Sequence, residues 1–194
     1  MALAPGRPKP LIVDIGGTVR TPSSSERVLI ASLAAAEAAG ARTKLFGGEI
    51  LSRLPIYNPN DGAEPPERSA LVEAVREADG IIVATPGYHG SLSGLIKNAL
   101  DSLEPLRDDA RPYLDGRAVG CIVVADGWQA CGSALAALRG IVHALRGWPT
   151  PLGATLNSAT QPFDDTGALK DQRDTWQVEM VAKQVVNFAQ RWAD

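Results

Sequence analysis

Apolar positions along the chain follow two rhythms. Three short aliphatic runs stand out: LIVDI (11–15), GIIVAT (80–85) and RAVGCIVVA (117–125). The last two show no polar alternation, the pattern of strands covered on both faces in a parallel sheet. Weaker strands are read in ARTKLF (41–46) and TPLGATL (150–156). Between them, apolar residues recur every three or four positions, which predicts helices. These span 27–39 (Leu29, Leu33, Ala36), 67–78 (Leu71, Val72, Val75), 93–103 (Leu95, Ala99, Leu100, Leu103), 134–145 (Leu135, Leu138, Val142) and 171–192 (Val178, Val181, Val185, Phe188, Trp192). Gly40 fits the end of the first helix. Prolines and turn residues exclude regular structure from 54–66. The proline-rich residues 1–10 read as a disordered lead-in, and 11–194 as a single domain of ordinary size.

Strand and helix alternate five times. Right-handed crossovers then give an α/β three-layer sandwich. Five strands in so short a chain favour a flavodoxin-like five-stranded parallel sheet of order 2-1-3-4-5 over a six-stranded dinucleotide fold. Ligands of such sheets bind beyond the carboxyl ends of the strands, where the strand order reverses. The loops after Ile15, Thr85 and Ala125 are therefore the ones to read.

Composition narrows the chemistry. The 194 residues are 45% hydrophobic and 21% charged, with a formal net charge of −3. No basic excess suggests a general nucleic-acid partner. The two cysteines lack metal-ligand spacing and read as reduced thiols. The first residues lack the apolar core of a signal peptide, and no run is long enough to span a bilayer, so a cytoplasmic, membrane-free protein is expected.

The loop GGTVRTPSSSER (16–27) combines two glycines, hydroxyls at Thr18, Ser23, Ser24 and Ser25, and the cationic fork of Arg20 ahead of a helix N-terminus. That combination suits a phosphate. It matches neither the nucleoside-triphosphate P-loop nor the Gly-x-Gly-x-x-Gly fingerprint. The serines also fit simple helix capping. The loop PGYHGS (86–91) offers Pro86, Gly87, Tyr88, His89, Gly90 and Ser91. Its bare backbone suits close approach by a flat ligand, with Tyr88 beside the ring, and also fits an ordinary strand-to-helix turn. His89 gains no acid–base role. The loop DGWQACGS (126–133) adds Asp126, which accepts from a ligand or caps a helix, then Gly127 and Trp128. Trp128 flanks a ring or packs at a subunit contact. A planar, phosphorylated cofactor fits all three loops, and FMN is the simplest one.

The residues also carry a family likeness. GTVRTPSSS (17–25) resembles the Gly-Ser-x-Arg-x-x-Ser-x-Ser/Asn phosphate loop of the NADPH-dependent FMN reductases, with Thr18 in the serine position. LPIY (54–57) resembles their Leu-Pro-x-Tyr segment, and PGYHGSLSGLIKNALD (86–101) is similar to the run that lies along the isoalloxazine ring in that family. DGWQACGS departs from the glycine-rich third loop of relatives. The resemblance covers about 11–156. It implies an FMN cofactor and hydride transfer from NADPH or NADH, with no catalytic side chain assigned. It further implies reduced flavin supplied to a partner monooxygenase, or alternatively reduction of a quinone, chromate or azo dye. A flavodoxin-type electron carrier ranks lower, because such shuttles are strongly acidic. A homodimer or homotetramer is implied as well.

Overall fold

The computed structural model describes residues 8–20, 23–60 and 65–192. The other residues of the 1–10 segment and of the loops at 16–27 and 54–66 lie outside the described residues. Among the described ones, strands β1 (Leu11–Gly16), β2 (Arg42–Phe46), β3 (Gly80–Tyr88), β4 (Ser91–Leu92), β5 (Ala118–Ala125), β6 (Trp148–Pro149) and β7 (Ala154–Asn157) alternate with helices. The helices are α1 (Ser24–Ala38), α2 (Gly48–Leu51), α3 (Pro66–Glu77), α4 (Gly94–Asp101), α5 (Trp128–Ala144) and α6 (Gln172–Trp192). Lys9 and Pro10 already belong to the edge of this structure, since their carbonyls accept from Arg42.

The parallel path is β2-β1-β3-β5-β6, and β7 also pairs with β5. The expected order of five strand positions therefore appears, with seven strands rather than five. One extra strand is β4, which folds back antiparallel on β3. The other arises because the last position is split. Ala118 faces Trp148, whereas Ile122 faces Ala154, so Thr150–Gly153 bulges between the two pieces. Pro151 has no N–H for the ladder. A side chain at Gly153 would press on Leu135.

Alternation within the buried strands feeds two cores. Ile81 and Val83 of β3, with Val119 and Cys121 of β5, pack beneath α3, α4 and α5. Ile82, Ala84, Ile122 and Val124 pack beneath α1 and α6. Val178, Val181 and Val185 form the buried stripe of α6, so that helix spends its apolar face on the sheet. The end of α1 follows the sequence reading. Ala41 N–H donates to the Ala36 carbonyl and Gly40 N–H to the Glu37 carbonyl, with Gly40 at φ +95°, a Schellman closure.

At the amino edge of the sheet, Arg117 is 1% exposed. Its guanidinium donates to the carbonyls of Ala78 (2.8 Å), Arg76 (2.8 Å) and Tyr113 (2.9 Å). It thereby ties the C-terminal end of α3 to the start of β5. Burial lowers its pKa to about 10, so it remains cationic at neutral pH.

Two starting points differ from the sequence expectation. Helix α1 begins at Ser24 rather than 27, because Ser23 is the cap and the following serines form the first turn. Helix α5 begins at Trp128 rather than 134. Its first turns are Gly- and Cys-containing and lack an apolar period, and a Cβ at Gly132 would meet only open space.

Candidate functional site

The carboxyl ends of β1, β3, β5 and β7 open on one crevice of about 410 Å³. It is lined by Thr18, Arg20 and Ser23–Ser25 from the first loop, and by Pro86, Gly87 and Tyr88 from β3. Val124, Ala125 and Asp126 from the end of β5, and Ser158 beyond β7, complete the wall. A neighbouring groove on the outer side of the first loop shares Thr18 and Ser23, but only the crevice joins all of these strand ends.

The first loop is held by its own polar groups. The Thr18 hydroxyl donates to the Arg20 carbonyl and accepts from Arg20 N–H, both at 3.1 Å. Glycine is required here by packing. Gly17 has φ +106°, and a Cβ there would lie 2.7 Å from Gly48 N. Ser23 Oγ accepts from Glu26 N–H and sits 2.8 Å from Ser25 Oγ. The N-terminus of a fifteen-residue helix thus points its first-turn N–H groups at the crevice, with Arg20 exposed beside them. Such an end favours an anion through both its free donors and its partial positive charge. Capping and phosphate binding are therefore compatible readings of the serines: one hydroxyl caps, and the turn as a whole faces the cavity.

The second loop is not a break in the strand. β3 runs on through Pro86 and Gly87 to Tyr88. The β1 ladder ends at Gly16 opposite Ala84, so Pro86 lies beyond it, where a missing N–H is tolerated. Tyr88 then pairs with Ser91 across a two-residue hairpin turn. Both central residues have positive φ, His89 at 50° and Gly90 at 86°. This is the turn geometry that matches strand twist, with glycine the natural second residue. Gly87 is small for a packing reason, since an added Cβ would lie 2.8 Å from Ala125 Cβ and 3.3 Å from the Ala130 carbonyl oxygen and Ala134 Cβ. The Thr85 hydroxyl donates to the Pro86 carbonyl at 2.9 Å and accepts from Ser93 N–H at 3.1 Å, pinning the hairpin to α4. Asn98 of the 86–101 run holds the LPIY segment: its Oδ1 accepts from Tyr57 N–H at 2.8 Å and its Nδ2 donates to the Pro55 carbonyl at 3.0 Å.

Eight of the thirteen expected residues therefore line the crevice: Thr18, Arg20, Ser23, Ser25, Pro86, Gly87, Tyr88 and Asp126. His89, Gly90 and Ser91 belong to the hairpin turn and its return strand rather than to the lining. Gly127 is the cap residue of α5, and its N–H is already given to Asn157 Oδ1 at 2.9 Å. Trp128 opens α5 and is 56% exposed outside the lining. Ser24, one of the first-loop hydroxyls, lines the crevice too, and Val124, Ala125 and Ser158 join the wall without having been singled out from the sequence. Ser158 follows the last strand, and the carboxyl-edge rule would have included it had the reading extended past the strands nearest the order reversal.

Neither thiol offers a nucleophile. Burial pushes the Cys121 thiol up to about 12 and also raises that of Cys131. Among the described residues, no cluster of His, Cys, Asp or Glu could hold a metal ion, and no helix is long and apolar enough to cross a membrane.

Known proteins resemble this chain in sequence and in fold. The chain is 34% identical over 118 residues to an FMN-dependent NADPH-azoreductase of Staphylococcus haemolyticus, covering 60% of the chain and 59% of that protein. It is 31% identical over 120 residues to one from Staphylococcus aureus, covering 61% and 60%. The match thus spans about three fifths of these relatives. The fold recurs in FerB, a flavoenzyme NAD(P)H:acceptor oxidoreductase of Paracoccus denitrificans (TM-score 0.70, 19% identity, 94% of this chain and 98% of that one). It recurs in a flavodoxin-type, WrbA-like protein of Agrobacterium tumefaciens (TM-score 0.65, 17% identity, 94% and 99%), so the architecture is flavodoxin-like. Residues 10–161 match the NADPH-dependent FMN reductase family, and the chain belongs to it.

Proposed function

We propose that this protein is an NAD(P)H-dependent flavin reductase that holds FMN in the carboxyl-edge crevice. The observation that carries the reading is the convergence, in one cavity, of the α1 N-terminus with Arg20, the flat Pro86–Tyr88 strand end and the polar Asp126 and Ser158. The donor set fits the group. One end supplies helix N–H groups, hydroxyls and a guanidinium for a phosphate. The other supplies backbone and a half-exposed phenol ring for a planar heterocycle.

FMN, when bound, supplies the hydride-accepting chemistry; the protein supplies binding, orientation and electrostatics. Arg20, Thr18 and the first turn of α1 neutralise and fix the phosphate. Pro86 and Gly87 line one side, and Tyr88 closes the rim. Hydride transfer requires no general acid or base, so no catalytic side chain is assigned.

Acceptor choice divides into two readings. Supply of reduced flavin, including to a partner monooxygenase, is the reading that membership of an FMN reductase family supports. Reduction of azo dyes, quinones or chromate is favoured by the azoreductase relatives. A cytoplasmic homodimer or homotetramer belongs to the same proposal. The test is oxidation of NADPH and of NADH by purified protein, with free FMN, a quinone and an azo dye offered in turn. FMN-dependent oxidation of either nucleotide is the expected result, and the acceptor giving the highest kcat/KM selects between the readings. No oxidation with any acceptor would sink the proposal.

A further inference from the structure

The exit of β7 carries a feature that neither the first three loops nor the family motifs include. Asn157 is 8% exposed and pairs with Ala125 at the end of the β5–β7 ladder. Its single Oδ1 accepts two backbone bonds, from Gly127 N–H at 2.9 Å and from Ala159 N–H at 3.0 Å. It thereby joins the loop after β5 to the turn after β7, the two segments that bring Asp126 and Ser158 into the crevice.

The loop after β5 needs such a tie. Gly127 sits at φ +93° and provides α5 with no side-chain cap. Because Asn157 is buried, water competes little for its two bonds. The strand beneath is anchored in turn. Thr155 N–H donates to Gln177 Oε1 at 3.1 Å, and Gln177 Nε2 donates to the Thr155 carbonyl at 3.1 Å, so an α6 side chain closes the open edge of the sheet. Ser158 is partly exposed in the crevice, and among the described residues its hydroxyl has no protein partner.

We infer that Asn157–Ser158 is a fourth wall of the flavin site. The Ser158 hydroxyl contacts the bound flavin, and Asn157 is a positioning residue that sets the backbone at Asp126–Gly127. The inference rests on the flavin reading above. Both residues act away from the phosphate cradle at Arg20 and the α1 N-terminus, so their loss should affect flavins with and without a phosphate alike.

The experiment titrates apo-protein with FMN and with riboflavin, following quenching of flavin fluorescence, for wild type, Asn157→Ala, Asn157→Asp and Ser158→Ala. Asn157→Ala raises both Kd values by a common factor of about tenfold, as expected for two lost backbone tethers. Asn157→Asp keeps an oxygen acceptor and stays within about threefold of wild type. Ser158→Ala, which leaves the tether intact, raises both Kd values by roughly threefold or more. Wild-type affinity in Asn157→Ala, or equal loss in Asn157→Asp, overturns the positioning role. Unchanged affinity in Ser158→Ala overturns the contact. Should Asn157→Ala fail to fold, Asn157→Asp and Ser158→Ala decide the matter. Wild-type protein that binds neither flavin would instead remove the flavin reading itself.

Discussion

Two arginines occupy opposite ends of the sheet. Arg117, at the amino edge, is buried and gives its donors to carbonyls at the end of α3, at its cap residue Ala78 and in the chain before β5. Arg20, at the carboxyl edge, is exposed and faces the crevice. The neighbouring aromatics differ in their partners rather than in exposure, since Trp148, Trp192 and Tyr88 are all about half exposed. Near Arg117's end, Phe188 stacks on Trp192 at 5.2 Å and lies 6.5 Å from Trp148. At the crevice, Tyr88 stands on a hairpin end and is half exposed. The amino edge spends its guanidinium on the fold; the carboxyl edge leaves that of Arg20 exposed beside the crevice. Stability and binding should therefore separate by edge.

The largest expected effect is at the amino edge. Arg117→Ala leaves buried carbonyls without a donor and should destabilise the protein by about 3 kcal/mol or more. Denaturant unfolding measures this. Flavin affinity in the molecules that remain folded should be unchanged, and a loss of affinity matching the loss of stability would break the separation.

A smaller, pH-dependent effect lies between the edges. Asp14 of β1 is fully buried, and its Oδ1 has no partner among the described residues. Oδ2 accepts from the Ser32 hydroxyl at 3.4 Å. Burial raises its pKa well above the usual carboxylate range, outweighing the Ser32 bond, with the Glu37 charge adding slightly. The native state thus binds a proton that the unfolded state releases near its ordinary pKa. The associated stability is complete below the unfolded pKa and is lost as pH rises through the folded pKa. The loss has a limiting slope of about 1.4 kcal/mol per pH unit. Asp14→Asn should remove that slope, so its advantage over wild type grows from acid towards neutral pH in urea titrations. Parallel stability profiles would refute the buried neutral acid.

The smallest effect is at the hairpin tip. His89→Asn and His89→Gly suit the positive φ and should change stability by less than about 0.5 kcal/mol, whereas His89→Val should lose about 1–2 kcal/mol. Thermal unfolding of the three variants ranks them, and equal melting temperatures would remove the turn role.

These outcomes bear on what the chain displays openly. The unbroken apolar runs at 80–85 and 117–125 announced a doubly covered parallel sheet, because burial on both faces writes itself into consecutive residues. The glycine- and serine-rich first loop announced the capped N-terminus of α1 that borders the crevice, because helix capping and anion binding demand the same short polar side chains. The hairpin was hidden behind Pro86 and Gly87, whose usual breaking tendency yields at a ladder's end. His89-Gly90 was its only local trace. The early start of α5 was hidden because Trp128–Ser133 carries no apolar period. Asn157 and Gln177 were invisible for another reason: their partners are 30 and 22 residues away, and a single amide has no pattern until the fold supplies its partner.

The central claim is that the carboxyl-edge crevice grips a flavin by its phosphate. Titration of wild-type and Arg20→Ala apo-protein with FMN and with riboflavin tests it most directly. Loss of one charge-assisted contact should weaken FMN by about tenfold to a hundredfold and leave riboflavin within about twofold of wild type. Equal weakening of both flavins, or none, would contradict the account.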